Sequence, residues 1–225
     1  QHHGHAIYAG GDDVLALLPL NQAVACSRAL AEAFQAALAD VAKNLGLAAT
    51  DWPTLSVGLG LGHIIEPFWR LRDRAERAEK LAKGNGLPEA QQRNALQIIL
   101  GIRSGGELAW RAQWSEQAAF EALQKFIAAF AQDQLPSRVA YDLRAIDLRL
   151  AWLREDKTHT ANGMREAEVT RMLDRARAQG QKISPELRAL LLAQAKIQAL
   201  AKLADTLIIA RWLAARSQHA LGERG

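Results

Sequence analysis

The sequence predicts an α+β unit followed by an all-helical unit, with the change at Ser115. Three observations carry this expectation. Short apolar runs bounded by Gly, Asp and Pro mark strands in the first half. Residues 55–63, LSVGLGLGH, alternate apolar and small side chains without a fault, which is the period of a strand. From Ser115 onward no strand pattern recurs, glycine becomes rare, and apolar residues return at helical spacing.

The elements follow in order. In YAGGDDVLALLP, residues 8–19, two glycines and two aspartates separate the apolar runs 6–9 and 14–18. Runs of this length between turn residues predict a hairpin of buried strands, with Gly10 and Gly11 supplying positive φ. Asn21 is the expected N-cap of a first helix, whose apolar face (Leu30, Phe34, Leu38, Val41, Leu45) runs out near Gly46. Asp51-Trp52-Pro53 breaks the chain before the alternating strand. There Leu55, Val57, Leu59 and Leu61 face one way, and Ser56, Gly58, Gly60 and Gly62 the other. A face reduced to Ser and Gly admits something close to its backbone; a packed helix and a nucleotide are both open. Residues 66–83 predict a charged helix with Pro67 in its first turn, and residues 84–88 a loop. Residues 93–102 and 107–114 predict two more strands, joined by a hairpin at Arg103-Ser104-Gly105-Gly106.

In the second half, Phe120, Leu123, Ile127 and Phe130 mark one helix. Val139, Leu143, Ile146, Leu150 and Leu153 mark another, and Met172, Leu173 and Ala176 lie on a third. Ser184-Pro185-Glu186 starts a last helix, with Ser as N-cap, Pro at the first position and Glu near the positive end of the dipole. It is expected to continue to about residue 216, on the order of 45 Å at the standard rise.

At 225 residues, 49% hydrophobic and 23% charged, the chain has the composition of a globular protein with a sizeable core. No apolar run is long enough to span a membrane, no signal-peptide pattern precedes the first strand, and no membrane partner is expected. Cys26 is the single cysteine, which excludes a disulfide framework and a cysteine-based zinc site. A cytoplasmic location is expected. Residues 1–114 hold equal numbers of acidic and basic side chains, so the whole net charge of +4 falls in residues 115–225. Such a half is compatible with a partner that carries nucleic acid. The chain enters its first hairpin at once and without an initiator Met, and is expected to be the C-terminal portion of a longer polypeptide.

Two adjacent carboxylates at a hairpin tip repel one another unless something positive sits there. With the downstream blocks LSVGLGLGH, AERAEKLAK and RNALQIILGIRSGGELAW, this hairpin resembles the second Palm domain of the large subunit of type III CRISPR–Cas effector complexes, particularly the Cmr branch. The resemblance implies a ferredoxin-like Palm of the nucleotidyl-cyclase and polymerase type, lacking its first elements, over residues 1–114. A C-terminal helical bundle over 115–225 follows. It further implies synthesis of cyclic oligoadenylate from ATP, switched on by target RNA. Asp12 and Asp13 would be the catalytic residues and the ligands of Mg²⁺ or Mn²⁺, hard cations that take carboxylate and phosphate oxygens together. Gly10 and Gly11 would keep side chains away from the phosphates.

Related nucleotidyl cyclases carry Lys-x-x-Gly-Arg-Asn for the triphosphate. Here Lys80 and Lys83 precede a longer loop, and Gln92 stands before Arg93-Asn94. By that analogy Lys83, Arg93 and Asn94 are nucleotide-binding candidates, with a surface charge as the alternative for Arg93, and Ser56 could approach the base. The implied partners are the small helical subunits, the adjacent backbone subunit, guide and target RNA, and the upstream half of the same subunit. None of the six histidines is followed by Asp, so nothing here supports an HD-type nuclease; His2, His3 and His5 read as a solvated or strand-entry stretch. Trp110, Trp114, Trp152 and Trp212 are expected in the core or an interface. Two other functions compete. A diguanylate cyclase would carry an aromatic where Val14 stands, and a non-catalytic scaffold would use the helical unit to dock on neighbouring subunits.

Overall fold

The computed structural model describes residues 3–11, 13–102, 106–153, 159–178 and 183–215. The chain divides into two compact units, residues 1–117 and 118–225. The first is α+β and the second is helical throughout its described residues.

Strands β1 (His5–Gly10) and β2 (Asp13–Leu17) form an antiparallel hairpin closed by the Gly10↔Asp13 pair, with a register shift between Ala6 and Tyr8. Gly11, at φ 62°, is the residue that turns the chain, a left-handed position that only glycine takes without strain. Gly10 is not left-handed, unlike the expectation for both. The strands are also not buried: Ile7, Tyr8, Val14 and Leu17 are all exposed. Their apolar faces find no cover because the hairpin forms a two-stranded sheet of its own.

Helix α1 (Leu20–Asn44) begins one residue before the expected cap, with Pro19 at the N-cap position. Its expected apolar face is only partly used. Leu30, Val41 and Leu45 are exposed, and the buried stripe is Ala23, Ser27, Ala31 and Ala42. Small residues at i, i+4 and i+8 permit close approach, whereas the larger side chains on the neighbouring stripe are part-buried at Phe34 and Leu38 and exposed at Leu30, Val41 and Leu45.

The second sheet has the order β3-β4-β5. Strand β3 (Val57–Leu61) is shorter than expected and runs parallel to β4 (Ala95–Gly101), with Val57 opposite Leu96. Strand β5 (Glu107–Gln113) pairs antiparallel to β4; of the expected connecting hairpin, Arg103, Ser104 and Gly105 lie outside the described residues. As the central strand, β4 is buried along its whole length. Helix α2 (Phe68–Lys83) starts after Pro67, two residues later than expected, and ends on Gly84 in the left-handed C-cap conformation, φ 64°. It covers the small-residue face of β3. A Cβ on Gly60 would lie 2.7 Å from the Ala75 backbone nitrogen, and one on Gly58 would fall on the Glu79 backbone nitrogen. Of the two occupants that face admitted, the structure shows the helix.

In the second unit, α3 (Gln117–Ala131) buries Phe120, Leu123 and Phe126, and α4 (Arg138–Arg149) buries Val139, Leu143 and Ile146. The regular helix ends at Arg149, so Leu153 falls in a separate 3₁₀ turn, and Trp152 beside it is exposed rather than core. Helix α5 (His159–Ala178) carries the buried Val169, Leu173 and Ala176. Ser184 caps the next helix as expected, its Oγ accepting a hydrogen bond from the Leu187 N–H at 3.2 Å. The expected single long helix is two: α6 (Pro185–Ile197) and α7 (Leu200–Ala214), separated by Gln198 and Ala199 in extended conformations. Helix α7 is apolar on nearly all sides and packs on α4, a central position that a rigid continuation of α6 would not have to reach. No helix among the described residues is long and apolar enough to cross a membrane.

Candidate active site

Strands β3 and β4 are parallel and in register, so the residues just before them share one end of the sheet. Ser56 immediately precedes β3 and is half-buried; Arg93 and Asn94 immediately precede β4. Lys83 closes α2, and its carbonyl accepts a hydrogen bond from the Arg93 N–H at 2.9 Å. Four of the sequence-derived candidates therefore gather at this end.

Two of them have left-handed backbone. Arg93 and Asn94 adopt φ of 55° and 47°; asparagine tolerates this conformation, whereas it costs arginine roughly 1–2 kcal/mol. The neighbours hold them there. The Trp114 N–H donates to the Asn94 carbonyl at 2.8 Å, and Gln113 Nε2 donates to the Ala90 and Gln92 carbonyls at 3.1 and 3.3 Å. Arg111 donates to Leu81 and Ala82 at the end of α2, at 3.2 and 3.0 Å, and to Gln91 at 2.6 Å. Sequence reasoning missed Arg111 and Gln113, which stitch the helix end, the loop and the strand start together. Their alternation with the buried Trp110 and Ala112 was the available signal.

The side chains differ in freedom. The Arg93 guanidinium is exposed and makes no hydrogen bond or ion pair among the described residues. Lys83 forms an ion pair with Glu79 one turn earlier on α2. Asn94 lines a cavity of about 300 Å³ together with Arg28, Thr54, Leu55 and Trp114.

At the hairpin, Asp13 opens β2 and is exposed; Asp12 lies outside the described residues. No hydrogen bond or ion pair joins Asp13 to the β3–β4 end among the described residues. Among the described residues, no three His, Cys, Asp or Glu side chains converge there as a metal cage. Mg²⁺ does not require such a cage: it binds through one or two carboxylates, retained waters and substrate phosphates. The hard, exposed oxygen donor of Asp13 fits that ion.

The opposite end of the sheet carries a charge network built by the charged helix α2, Glu66 and Glu107. Arg74, almost fully buried, donates to the Leu61 carbonyl at 3.0 Å and to Glu66 at 2.7 Å, and lies 3.3 Å from Glu107. Burial works against its charge, but Glu66 and Glu107 more than offset it, and its pKa is raised. Arg77 grips Glu107 with two 2.7 Å hydrogen bonds. That grip, with help from Arg74, holds the Glu107 carboxyl at about 2 against an ordinary 4.5.

The stabilisation from Glu107 is therefore complete above about pH 4.5 and lost as pH falls through about 2. Glu107 is about one-third exposed, and with solvent screening its contribution is about 1 kcal/mol. Glu107→Gln is expected to lower the Tm by about 2–4 °C at neutral pH, with the gap to wild type closing between pH 4.5 and 2. A gap that persists unchanged at pH 2 would show that packing, not charge, is lost.

Residues 1–97 match the family Cas10/Cmr2, second palm domain. The match takes in the hairpin, α1, β3, α2 and the start of β4. No curated protein matches the chain. Over these matched residues the first unit is similar to the second palm domain of Cas10/Cmr2, the large subunit of type III CRISPR–Cas effector complexes.

Proposed function

We propose that this chain supplies the catalytic half of a nucleotidyltransferase site that makes cyclic oligoadenylate from ATP when the effector complex binds target RNA. The observation that carries the reading is the left-handed Arg93–Asn94 pair, pinned beside Lys83 at the mouth of the parallel strands. Backbone strain over-determined by its surroundings gathers at functional sites. Here it presents an unpaired guanidinium where a triphosphate needs a cation.

The roles follow from the residue types. Gly11 leaves the hairpin tip open to phosphate, while the Tyr8 side chain lies against Gly10. Asp12 and Asp13 would hold Mg²⁺ or Mn²⁺, which when bound stabilises the attacking hydroxyl and the leaving pyrophosphate. Arg93 and Lys83 neutralise the triphosphate, with Lys83 exchanging Glu79 for phosphate. Asn94, which lines a cavity with Thr54 and Leu55, and Ser56, just before β3, would meet the base. The uncovered apolar surfaces of the hairpin and α1 support the reading that the upstream half of the subunit packs here. The same two-sheet arrangement also favours a second reading, in which this chain is a non-catalytic assembly piece. Guide and target RNA, the small helical subunits and the backbone subunit are the partners that either reading proposes.

Arg93→Ala separates the two. A charge-assisted hydrogen bond is worth about 1.5–3 kcal/mol, so the KM for ATP of the assembled complex is expected to rise about tenfold or more. An unchanged KM would leave Arg93 a surface charge and favour the assembly piece.

A further inference from the structure

The turn between β3 and α2 holds large apolar side chains out in solvent. Ile64 is 84% exposed, Ile65 75% and Trp69 64%, with Phe68 half-exposed beside them. Turns favour Gly, Asn, Asp and Ser, so two adjacent isoleucines have no local reason to be there. The turn is also firmly built. The Glu66 N–H donates to the His63 carbonyl at 2.9 Å, and the Ile65 N–H donates to His63 Nδ1 at 3.2 Å. Arg74, only 6% exposed, ties Glu66 to the end of β3. A rigid apolar knob binds without the cost of ordering it first.

The charges around the knob say what kind of surface it fits. Arg72 pairs with Glu76, Arg74 with Glu66 and Glu107, and Arg77 with Asp73 and Glu107. Arg70 pairs with no carboxylate among the described residues and instead stacks on Trp69, 5.3 Å from the ring centre. RNA would be met by several free cations tracking its phosphates, and three of these four arginines are already neutralised. Aliphatic anchors flanked by Trp and one unpaired Arg are what a protein partner meets at a binding hot spot. We propose that Ile64, Ile65, Phe68, Trp69 and Arg70 form a docking knob for a protein subunit of the effector complex. That subunit presents an apolar groove edged by carboxylates.

The proposal rests on the chain working within a type III effector complex, and its test is separable from the chemistry. A benzophenone-bearing amino acid is placed at position 65 of the full-length subunit, and the assembled complex is irradiated. The expected result is a crosslink to a protein subunit at an apolar segment flanked by Asp or Glu. The double variant Ile65→Asp with Trp69→Ala, and separately Arg70→Glu, should each cut incorporation of the large subunit about tenfold, the Tm of the free subunit being unchanged. Replacing the crosslinked partner's carboxylate by Lys should restore binding of the Arg70→Glu variant. Crosslinks confined to RNA, to the upstream part of the same subunit or to a second copy of this chain, or normal incorporation of the double variant, would overturn the proposal. ATP conversion is measured in the same samples. Its absence from a wild-type complex that does crosslink counts against the proposed chemistry and leaves the knob standing.

Discussion

The double variant Asp12→Asn with Asp13→Asn is expected to lose ATP-dependent product formation while assembling into the effector complex as wild type does. Asn keeps the shape and hydrogen bonding of Asp and removes only the charge. Asp13 is exposed and pairs through its backbone with Gly10, so the change leaves the hairpin intact. A divalent cation between two neutral amides has no counter-charge until substrate arrives. Losing one transition-state-stabilising donor typically costs about 10²–10³-fold in rate, and losing both carboxylates should cost at least that. Guide-RNA content and subunit stoichiometry, measured alongside, are expected to stay unchanged. Full turnover by the double variant would remove the hairpin from the active site.

Gly58→Ala should be the most damaging single methyl group in the first unit. The added carbon would fall on the Glu79 backbone nitrogen and lie 2.7 Å from both the Ala75 carbonyl oxygen and the Ala78 carbonyl carbon. All three atoms belong to the backbone of α2, so no rotamer change relieves the overlap. Overpacking costs about 1–3 kcal/mol even where side chains can shift, and here the upper end applies. A fall in Tm of about 6–12 °C follows for a chain of this size. Lys83 should respond too, since α2 must move away from β3 and Lys83 is its last residue. Gly163→Ala in α5 is the control: a Cβ there meets nothing within 4 Å, and the change should stabilise by about 0.5–1 kcal/mol. An unchanged Tm for Gly58→Ala would contradict the close packing of α2 on β3.

Where local pattern and tertiary demand agree, the structure was legible in the sequence. The alternation through Val57, Leu59 and Leu61 placed β3, and Ser184-Pro185-Glu186 placed the start of α6. The break at Gln198–Ala199 was not legible, because the segment is rich in Ala, Leu and Lys, all good helix formers. Tertiary burial of α7 overrides that propensity. The apolar stripe of α1 misled in the opposite direction: its periodicity is real, but Leu30, Val41 and Leu45 are left exposed and none of its five members is fully buried. Arg74 was hidden among the charges of α2. It shares a buried stripe with Ala78 and Ala82, and the bare backbone of Gly62 and Gly101 leaves space for its guanidinium. At the candidate site, the resemblance to nucleotidyl cyclases pointed to Lys83, Arg93 and Asn94. The left-handed backbone that positions two of them depends on Arg111 and Gln113, about 20 residues downstream, and no local signal reports it.

The most direct test of the central claim is the identity of the product. The complete effector complex, bound to target RNA, is incubated with Mg²⁺ and either ATP or GTP, and the nucleotides are resolved by mass spectrometry. The account predicts cyclic oligoadenylate and pyrophosphate from ATP, no product from GTP, and neither product from the Asp12→Asn, Asp13→Asn complex. A wild-type complex that leaves ATP unconverted, or that makes a cyclic dinucleotide from GTP, would contradict it.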